Sequence, residues 1–192
     1  DYNGKLRVEH DGDLDGMHSK VILIPELKLG VATMTNSDTP VAAIVAGRAI
    51  DAALGLPLED RNATALAAQK VADAAKKRAW ERTVAARAKD TKPSLPLAAY
   101  AGKYTSDLYG DVRVAEEEGR LVVRFIPTPS LVADLEHWHY DTFRAKWRRP
   151  NPFIPDGWAT FVLDRAGKVV ELKVDAPNPD FDFTELELKR RN

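Results

Sequence analysis

The first 60 residues alternate between short apolar stretches and polar turns. Residues 5–9 and 31–35 have strand character, and residues 20–24 form a nearly continuous apolar run. Apolar residues then recur with helical spacing from Val41 to Leu54. The order strand, strand, strand, helix predicts a three-stranded antiparallel sheet with a helix on one face. Because one helix covers only one face, the other face is expected to need a partner.

Residues 61–92 have a different composition, rich in alanine and in basic side chains. Alanine is the strongest helix former, and neither glycine nor proline occurs between Asn62 and Thr91. We therefore predict one helix over 61–92, capped by Asn62 or Thr64 and stopped by Pro93. Its apolar residues are sparse and poorly phased, so the helix is expected to be largely solvated.

Residues 93–192 carry short strands separated by turns, with no helical segment between them. This pattern predicts a small antiparallel barrel or a strongly curved sheet of eight strands. Residues 164–168 form a clear hairpin signal. The predicted strands are 102–105, 112–115, 121–125, 131–137, 142–147, 159–163, 169–174 and 183–188.

Composition narrows the class of protein. The chain has 192 residues, of which 44% are hydrophobic and 30% charged, which is typical of a folded globular protein. The absence of cysteine excludes a disulfide framework, a thiolate zinc site and a cysteine nucleophile. No apolar run approaches the roughly 20 residues that would span a bilayer.

The net charge of −1 hides an uneven distribution of charged residues. Residues 61–92 hold nine basic and three acidic side chains, a net charge of +6, so the rest of the chain carries −7. The near-neutral total argues against a nucleic-acid-binding protein, which normally has a basic surface. We interpret the basic segment as a charged linker helix.

The first 60 residues contain a spaced motif. Its positions are His10, Asp11, Gly12, Gly16, Ser19, Pro25, Leu29, Gly30, Val31, Thr35 and Asn36. This pattern resembles the end of the serine β-lactamase-like domain, and most closely the esterase and peptidase branch related to class C β-lactamases and penicillin-binding proteins. In that branch the third catalytic motif is His-x-Gly, on an edge strand beside the nucleophile.

The resemblance implies three catalytic-site residues. His10 would face the cleft, where it would hold a polar group of the substrate or assist proton movement. Gly12, without a Cβ, would let substrate approach the strand, and the backbone N–H of Asp13 would stabilise the oxyanion. The nucleophile motif of the family, Ser-x-x-Lys, does not occur in the 192 residues. We therefore expect a carboxyl-terminal hydrolase segment that is inactive alone.

A second resemblance covers most of residues 96–188. The matching segments are 96–104, 119–124, 135–143 and 161–169. They resemble the domain of unknown function that often follows serine β-lactamase-like hydrolase domains, which implies a lipocalin-like barrel. The fold class expected for the chain is therefore α+β. It comprises a hydrolase-domain remnant of three strands and a helix at 1–60, a linker helix at 61–92, and an eight-stranded antiparallel lipocalin-like β-barrel at 93–192.

Three polar residues suggest a metal site as a further hypothesis. His137, His139 and Asp141 alternate in the sequence, so a regular strand would place them on one face. Two histidines and a carboxylate can bind a metal ion. However, three successive positions on one face of a strand seldom converge on one ion, so we favour hydrogen bonding at a strand edge or turn. No cofactor is expected.

The leading interpretation is the carboxyl-terminal part of a bacterial, periplasmic or secreted serine hydrolase. The intact enzyme would cleave a small ester, amide or peptide substrate through an acyl-enzyme. The uncovered sheet face is expected to bind a second copy of the chain or the missing amino-terminal hydrolase portion. In the alternative interpretation, the lipocalin-like barrel is a binding or assembly module for an apolar ligand or a partner protein.

Overall fold

A three-stranded antiparallel sheet and a closed eight-stranded barrel account for the strands in a computed structural model of the chain. The structure describes residues 1–14, 16–37, 39–150, 154–178 and 181–191. These residues form two units, 1–84 and 85–192, which we call the sheet unit and the barrel unit. The predicted fold class is confirmed.

The sheet unit is an antiparallel meander covered on one side by a helix. Its elements are β1 (Val8–Leu14), β2 (Met17–Ile24), a 3-10 turn (Pro25–Leu27), β3 (Leu29–Thr35) and helix α1 (Val41–Ala53). The strands pair in chain order, with Gly12 opposite Ser19 and Ser19 opposite Met34. Helix α1 packs on β2 and β3, where Ile22, Ile24 and Ile50 are fully buried.

The first strand begins and ends later than the predicted range of 5–9, because charged residues hold it in the sheet. Glu9 and Asp11 alternate on one face of β1 and form ion pairs with Lys20 of β2, at 3.1 and 2.9 Å. Lys20 is itself buried. A search for alternating apolar residues therefore misses most of this strand.

The buried carboxylate of Asp51 ties three segments of the sheet unit together. Arg61 donates to it from Nε at 3.0 Å and from Nη2 at 2.6 Å, and the Tyr2 hydroxyl also donates to it. Burial would raise the pKa of Asp51, but the hydrogen bonds from Tyr2 and Arg61 outweigh burial and lower the pKa. These bonds join the first residues and residue 61 to helix α1.

Helix α2 (Arg61–Ala85) is solvated along its length and has no buried residue. Its predicted cap was wrong: Asp60 Oδ1 accepts from the Ala63 N–H at 3.0 Å, as an N-cap side chain does. The predicted end at residue 92 was also wrong. Arg87, beyond the helix, donates to the Trp138 carbonyl at 2.6 Å and stacks over the Trp138 ring at 4.7 Å.

The barrel unit closes because its last strand pairs with both β10 and β4. All its pairings are antiparallel, in the order β10-β11-β4-β5-β6-β7-β8-β9. The strands are β4 (Gly102–Ser106), β5 (Gly110–Glu117), β6 (Arg120–Phe125), β7 (Val132–His139), β8 (Thr142–Trp147), β9 (Gly157–Leu163), β10 (Val169–Asp175) and β11 (Leu188–Arg191).

The last predicted strand, 183–188, was misplaced. Phe183–Leu186 form a 3-10 turn, in which the Asp182 carboxylate accepts from the Thr184 N–H at 2.9 Å. Glu187 then takes a left-handed conformation with φ of 44°, and β11 begins only at Leu188. The side-chain cap competes with strand pairing at this point and delays the strand.

Aromatic side chains fill the interior of the barrel. Tyr100, Phe143 and Phe161 contact one another with ring centroids 4.8 to 5.7 Å apart, and Tyr104 packs against Phe161 at 6.0 Å. At most 2% of the surface of each of these four residues is exposed. The interior is therefore a packed core, as small barrels of eight strands commonly have.

Among the described residues, neither α1 nor α2 combines the length and the apolar character needed to cross a membrane.

We expect that Gly157→Ala will destabilise the barrel unit by about 3 kcal/mol. A Cβ at this position would lie 2.4 Å from the Asp175 carbonyl oxygen and 2.7 Å from the Ala176 Cβ, so backbone would have to move. Urea denaturation followed by tryptophan fluorescence measures the loss. In the control, Gly167→Ala, no atom lies within 4 Å of the added Cβ. Its φ of 74° should cost only about 1 kcal/mol. Equal losses of stability in both variants would contradict a steric role for the missing Cβ at Gly157.

Candidate functional site

The three predicted catalytic-site residues all lie on β1, an edge strand of the described sheet. His10 is exposed and pairs with Val21, and Gly12 pairs with Ser19. Because side chains alternate along a strand, His10 and Gly12 share one face, the face turned away from α1. The structure therefore brings His10 and Gly12 to the same open surface.

The space above Gly12 on that surface is occupied by Ser19. A Cβ at residue 12 would lie 2.7 Å from the Ser19 Oγ, and this hydroxyl donates to the Gly12 carbonyl at 3.3 Å. Sequence reasoning used Ser19 only as a family-motif position and missed this contact. The signal that could have found it is the register of the β1–β2 hairpin, which places residues 12 and 19 opposite each other.

The Asp13 side chain lies on the opposite face and is hydrogen-bonded to His18 Nδ1. Asp11 and Glu9 lie on the same face as Asp13 and share Lys20. The hydrogen bond from Lys20 lowers the pKa of Asp11, and the same contact raises the pKa of Lys20. The carboxylates of β1 thus hold the strand in place, while the role implied for Asp13 uses its backbone N–H.

Large apolar side chains surround His10 and Gly12 on the open face of the sheet. Met34 is 82% exposed and Leu14 is 66% exposed. The residues of this open face are Val8, His10, Gly12, Leu14, Met17, Ser19, Val21, Leu23, Gly30, Ala32 and Met34. Exposed apolar faces of this kind are common at interaction sites of proteins.

The structure does not bring His137, His139 and Asp141 together as a metal site. The pairing of β7 with β8 is irregular between His137 and His139, and β7 ends there. Tyr140 then has φ of 45°, so the regular alternation on one face is lost. In the part of the chain that the structure describes, no cluster of three or more His, Cys, Asp or Glu residues could hold a metal ion.

The histidines instead make local hydrogen bonds in the barrel unit. His137 Nε2 donates to the Tyr140 carbonyl at 3.0 Å, which stabilises the turn after β7. His139 Nδ1 accepts from the Ala88 N–H at 3.4 Å. These contacts agree with the favoured hypothesis of hydrogen bonding at a strand end.

Asp141 anchors the segment that precedes the barrel. Its carboxylate accepts from the Ser94 N–H at 2.9 Å, from the Ser94 hydroxyl at 2.8 Å and from the Tyr100 hydroxyl. Burial alone would raise the pKa of Asp141, but these donors outweigh burial and lower it. Burial, followed by the bond to Asp141, raises the pKa of Tyr100 to about 12.

Comparison with known proteins identifies the family of the barrel. Residues 86–190, more than half of the chain, match the family described as Domain of unknown function (DUF3471). The chain therefore belongs to this family. This match confirms the resemblance found in residues 96–188.

A curated relative links the chain to a hydrolase. Unguisins hydrolase ungD from Aspergillus violaceofuscus (strain CBS 115571) is 38% identical over 117 residues, which cover 57% of this chain and 21% of the relative. The chain thus spans about a fifth of the length of this relative. With the family match, this similarity confirms a hydrolase-related chain.

Two solved structures are also similar. The C-terminal domain of penicillin binding protein Rv0907 is 26% identical, with a TM-score of 0.41 over 55% of this chain and 94% of that chain. SurE with D-Leu is 19% identical, with a TM-score of 0.39 over 96% of this chain and 35% of that chain.

We expect Tyr100→Phe to destabilise the barrel unit by about 2 kcal/mol near neutral pH, because it removes a hydrogen-bond donor to the partly buried Asp141 carboxylate. A raised tyrosine pKa stabilises the folded state below the ordinary pKa of 10.0, and this contribution disappears as pH rises toward about 12. As pH rises from 10.0 to about 12, the free energy of unfolding should therefore fall less for the variant than for the wild type. Urea denaturation at several alkaline pH values measures the difference.

Tyr104→Phe is the matched control for this prediction. The Tyr104 hydroxyl donates to the neutral Tyr100 carbonyl at 2.7 Å and makes no contact with Asp141 in the described structure. The variant should cost about 1 kcal/mol near neutral pH. If the two variants are equally destabilised there, the Asp141 carboxylate is not the anchor described above.

Proposed function

We propose that residues 1–60 form the carboxyl-terminal part of the catalytic domain of a β-lactamase-related serine hydrolase, and that the barrel is its accessory domain. The observation that carries this proposal is the position of His10-Asp11-Gly12 on an exposed edge strand. His10 and Gly12 lie on a sheet face that no described element of the sheet unit covers. The hydrolase relative supports the same assignment.

The proposed reaction is cleavage of an ester, amide or peptide bond through an acyl-enzyme. An edge strand suits this chemistry because half of its backbone N–H groups have no neighbouring strand to bind. The N–H of Asp13 would donate to the oxyanion that develops when a serine attacks the carbonyl. His10 would hold a polar group of the substrate through a ring nitrogen, since imidazole can donate or accept a hydrogen bond.

The nucleophile of this reaction must come from another segment. The five serines, Ser19, Ser37, Ser94, Ser106 and Ser130, are not followed by lysine at the third position. Without the Ser-x-x-Lys pair the acyl-enzyme route is closed, so the 192 residues would not turn over substrate alone. We propose that the open face of the sheet packs against the portion of the hydrolase that carries this motif. The chain spans only a fifth of its hydrolase relative, which leaves room for such a portion.

The first test compares the 192-residue chain with a longer hydrolase that contains it. We expect hydrolysis of p-nitrophenyl esters or a chromogenic cephalosporin by the longer protein only. In that protein, His10→Ala should lower kcat/KM by about 100-fold, because a substrate-positioning or proton-transfer group is lost. His137→Ala, near the end of β7 in the barrel unit, should leave kcat/KM unchanged.

Three outcomes would count against the proposed reaction. Turnover by the 192-residue chain would show that a nucleophile is present within it. Inactivity of the longer protein toward every ester and cephalosporin would contradict the acyl-transfer assignment. Equal losses in His10→Ala and His137→Ala would remove His10 from the site.

The second test concerns the open face of the sheet. Val21→Lys and Met34→Lys should each weaken binding of the chain to the separately expressed hydrolase portion by at least about 100-fold, because a lysine ammonium would be desolvated in an apolar interface. Val71→Lys, at an exposed position of α2, is the control and should bind like the wild type. Calorimetric titration measures the affinities.

Light scattering on the chain alone completes this test. A dimer that Val21→Lys dissociates would show that a second copy covers the open face, and would contradict the proposed occupant. Unchanged binding in both lysine variants would place the hydrolase contact elsewhere.

A further inference from the structure

Four loops of the barrel unit meet at one end of the barrel. Successive strands of an antiparallel barrel run in opposite directions, so the β4–β5, β6–β7, β8–β9 and β10–β11 connections all lie at the same end. Described residues from these loops and from the adjoining strand ends line a cavity of about 320 Å³. We call this cavity the mouth pocket. Its volume lies at the lower end of the range found for small-ligand sites.

The walls of the mouth pocket are aromatic and aliphatic. The Phe181 ring lies edge-to-face against Tyr109 at 5.1 Å and against Phe183 at 4.9 Å. Phe125 meets Phe183 in the same arrangement at 6.2 Å, and Leu186 adds an aliphatic surface. Edge-to-face pairs of this kind are the preferred packing of aromatic rings, so a further ring can extend the cluster.

Local hydrogen bonds hold these walls in position. The Phe181 N–H donates to Asn178 Oδ1 at 2.7 Å, and the Tyr109 N–H donates to Ser106 Oγ at 3.3 Å. Phe183 begins the 3-10 turn that Asp182 caps. Tyr109 therefore projects from a hydrogen-bonded turn, Phe183 from a capped 3-10 turn and Phe125 from β6, which favours a pocket formed before a ligand binds.

The uncharged side chains that line the mouth pocket favour an uncharged ligand. Among the described residues that line the mouth pocket, none carries a carboxylate, ammonium, guanidinium or imidazole group. A charged ligand group would lose its hydration without gaining an opposite charge. Uncharged apolar groups meet no such cost. The barrel interior, in contrast, is already filled by Tyr100, Tyr104, Phe143 and Phe161.

We propose that the mouth pocket is a binding site for an uncharged aromatic group of one or two rings. The site lies at one end of the barrel, and its polar lining residues are Thr128, Asn178 and Tyr109. This proposal is independent of the proposed hydrolase activity, because it rests only on the barrel unit.

Two dyes that differ by one charged group test the proposal. N-phenylnaphthylamine is uncharged, and anilinonaphthalene sulfonate has the same ring system with a sulfonate. We expect saturable binding of the uncharged dye to the full 192-residue chain, at least about tenfold tighter than binding of the sulfonate. In amide NMR spectra, the uncharged dye should shift the signals of Tyr109, Thr128 and Phe181.

Two variants connect the binding to the pocket. Thr128→Trp places an indole in the pocket and Phe181→Ala removes a wall, so each should weaken binding of the uncharged dye by at least about tenfold. Arg165→Trp adds the same indole at an exposed turn at the other end of the barrel and should bind like the wild type. Circular dichroism verifies that each variant remains folded.

Several results would overturn the proposal. They are the absence of saturable binding to the folded wild type, equal binding of the two dyes, NMR shifts confined to the open face of the sheet unit, and unchanged affinity in both pocket variants. Loss of hydrolase activity in the longer protein would have no bearing on this result, so the two proposals fail separately.

Discussion

Closure of the barrel is the constraint on which the structure of residues 85–192 depends. Seven of the strands are five to eight residues long, but the strand that closes the circle, β11, has only four. Arg190 of this strand donates to the carbonyls of Ala99 and Ala101, both at 2.8 Å. A side chain thus adds to the hydrogen bonds of a short ladder. Once closed, the barrel has no free edge, and its wall of strands shields the central aromatic residues from water.

In the three-stranded sheet of the sheet unit, one face is buried and the other is exposed to solvent. Helix α1 covers Ile22 and Ile24, whereas Val21 and Met34 on the opposite face remain in contact with solvent. Burial of these side chains would release roughly 25 cal/mol for each Å² of apolar surface removed from water. A stable partner on this face is therefore favourable on hydrophobic grounds, and His10 would then lie within the interface.

Local patterns predicted most of the fold, and long-range contacts account for the errors. Alternation marked the centre of β5, where Val112 and Val114 are buried and Arg113 is exposed, and the apolar run Leu121–Val123 marked β6. Strand β1 was placed too early because its inward residues are acidic and bind Lys20. Likewise, no residue near Ala85 signals the end of α2, since the chain leaves the helix to bind Trp138, 51 residues after Arg87.

In the candidate site, as in the fold, local sequence patterns predicted some features, and contacts between distant residues were missed. Side-chain alternation was sufficient to place His10 and Gly12 on one face, but the contact of Ser19 with Gly12 depends on hairpin register. The mouth pocket depends on residues from four loops that only barrel closure brings together.

The acidic face of β1 has a consequence for self-association. Two copies of β1 placed side by side in antiparallel orientation, centred on Asp11, would set Asp11 against Asp11 and Glu9 against Asp13. Within one copy, Lys20 and Arg7 balance only part of this negative charge. Like charges directly opposite each other destabilise a strand pair. Pairing of two identical chains through β1 is therefore electrostatically opposed, and this edge favours an incoming strand that carries basic or neutral side chains.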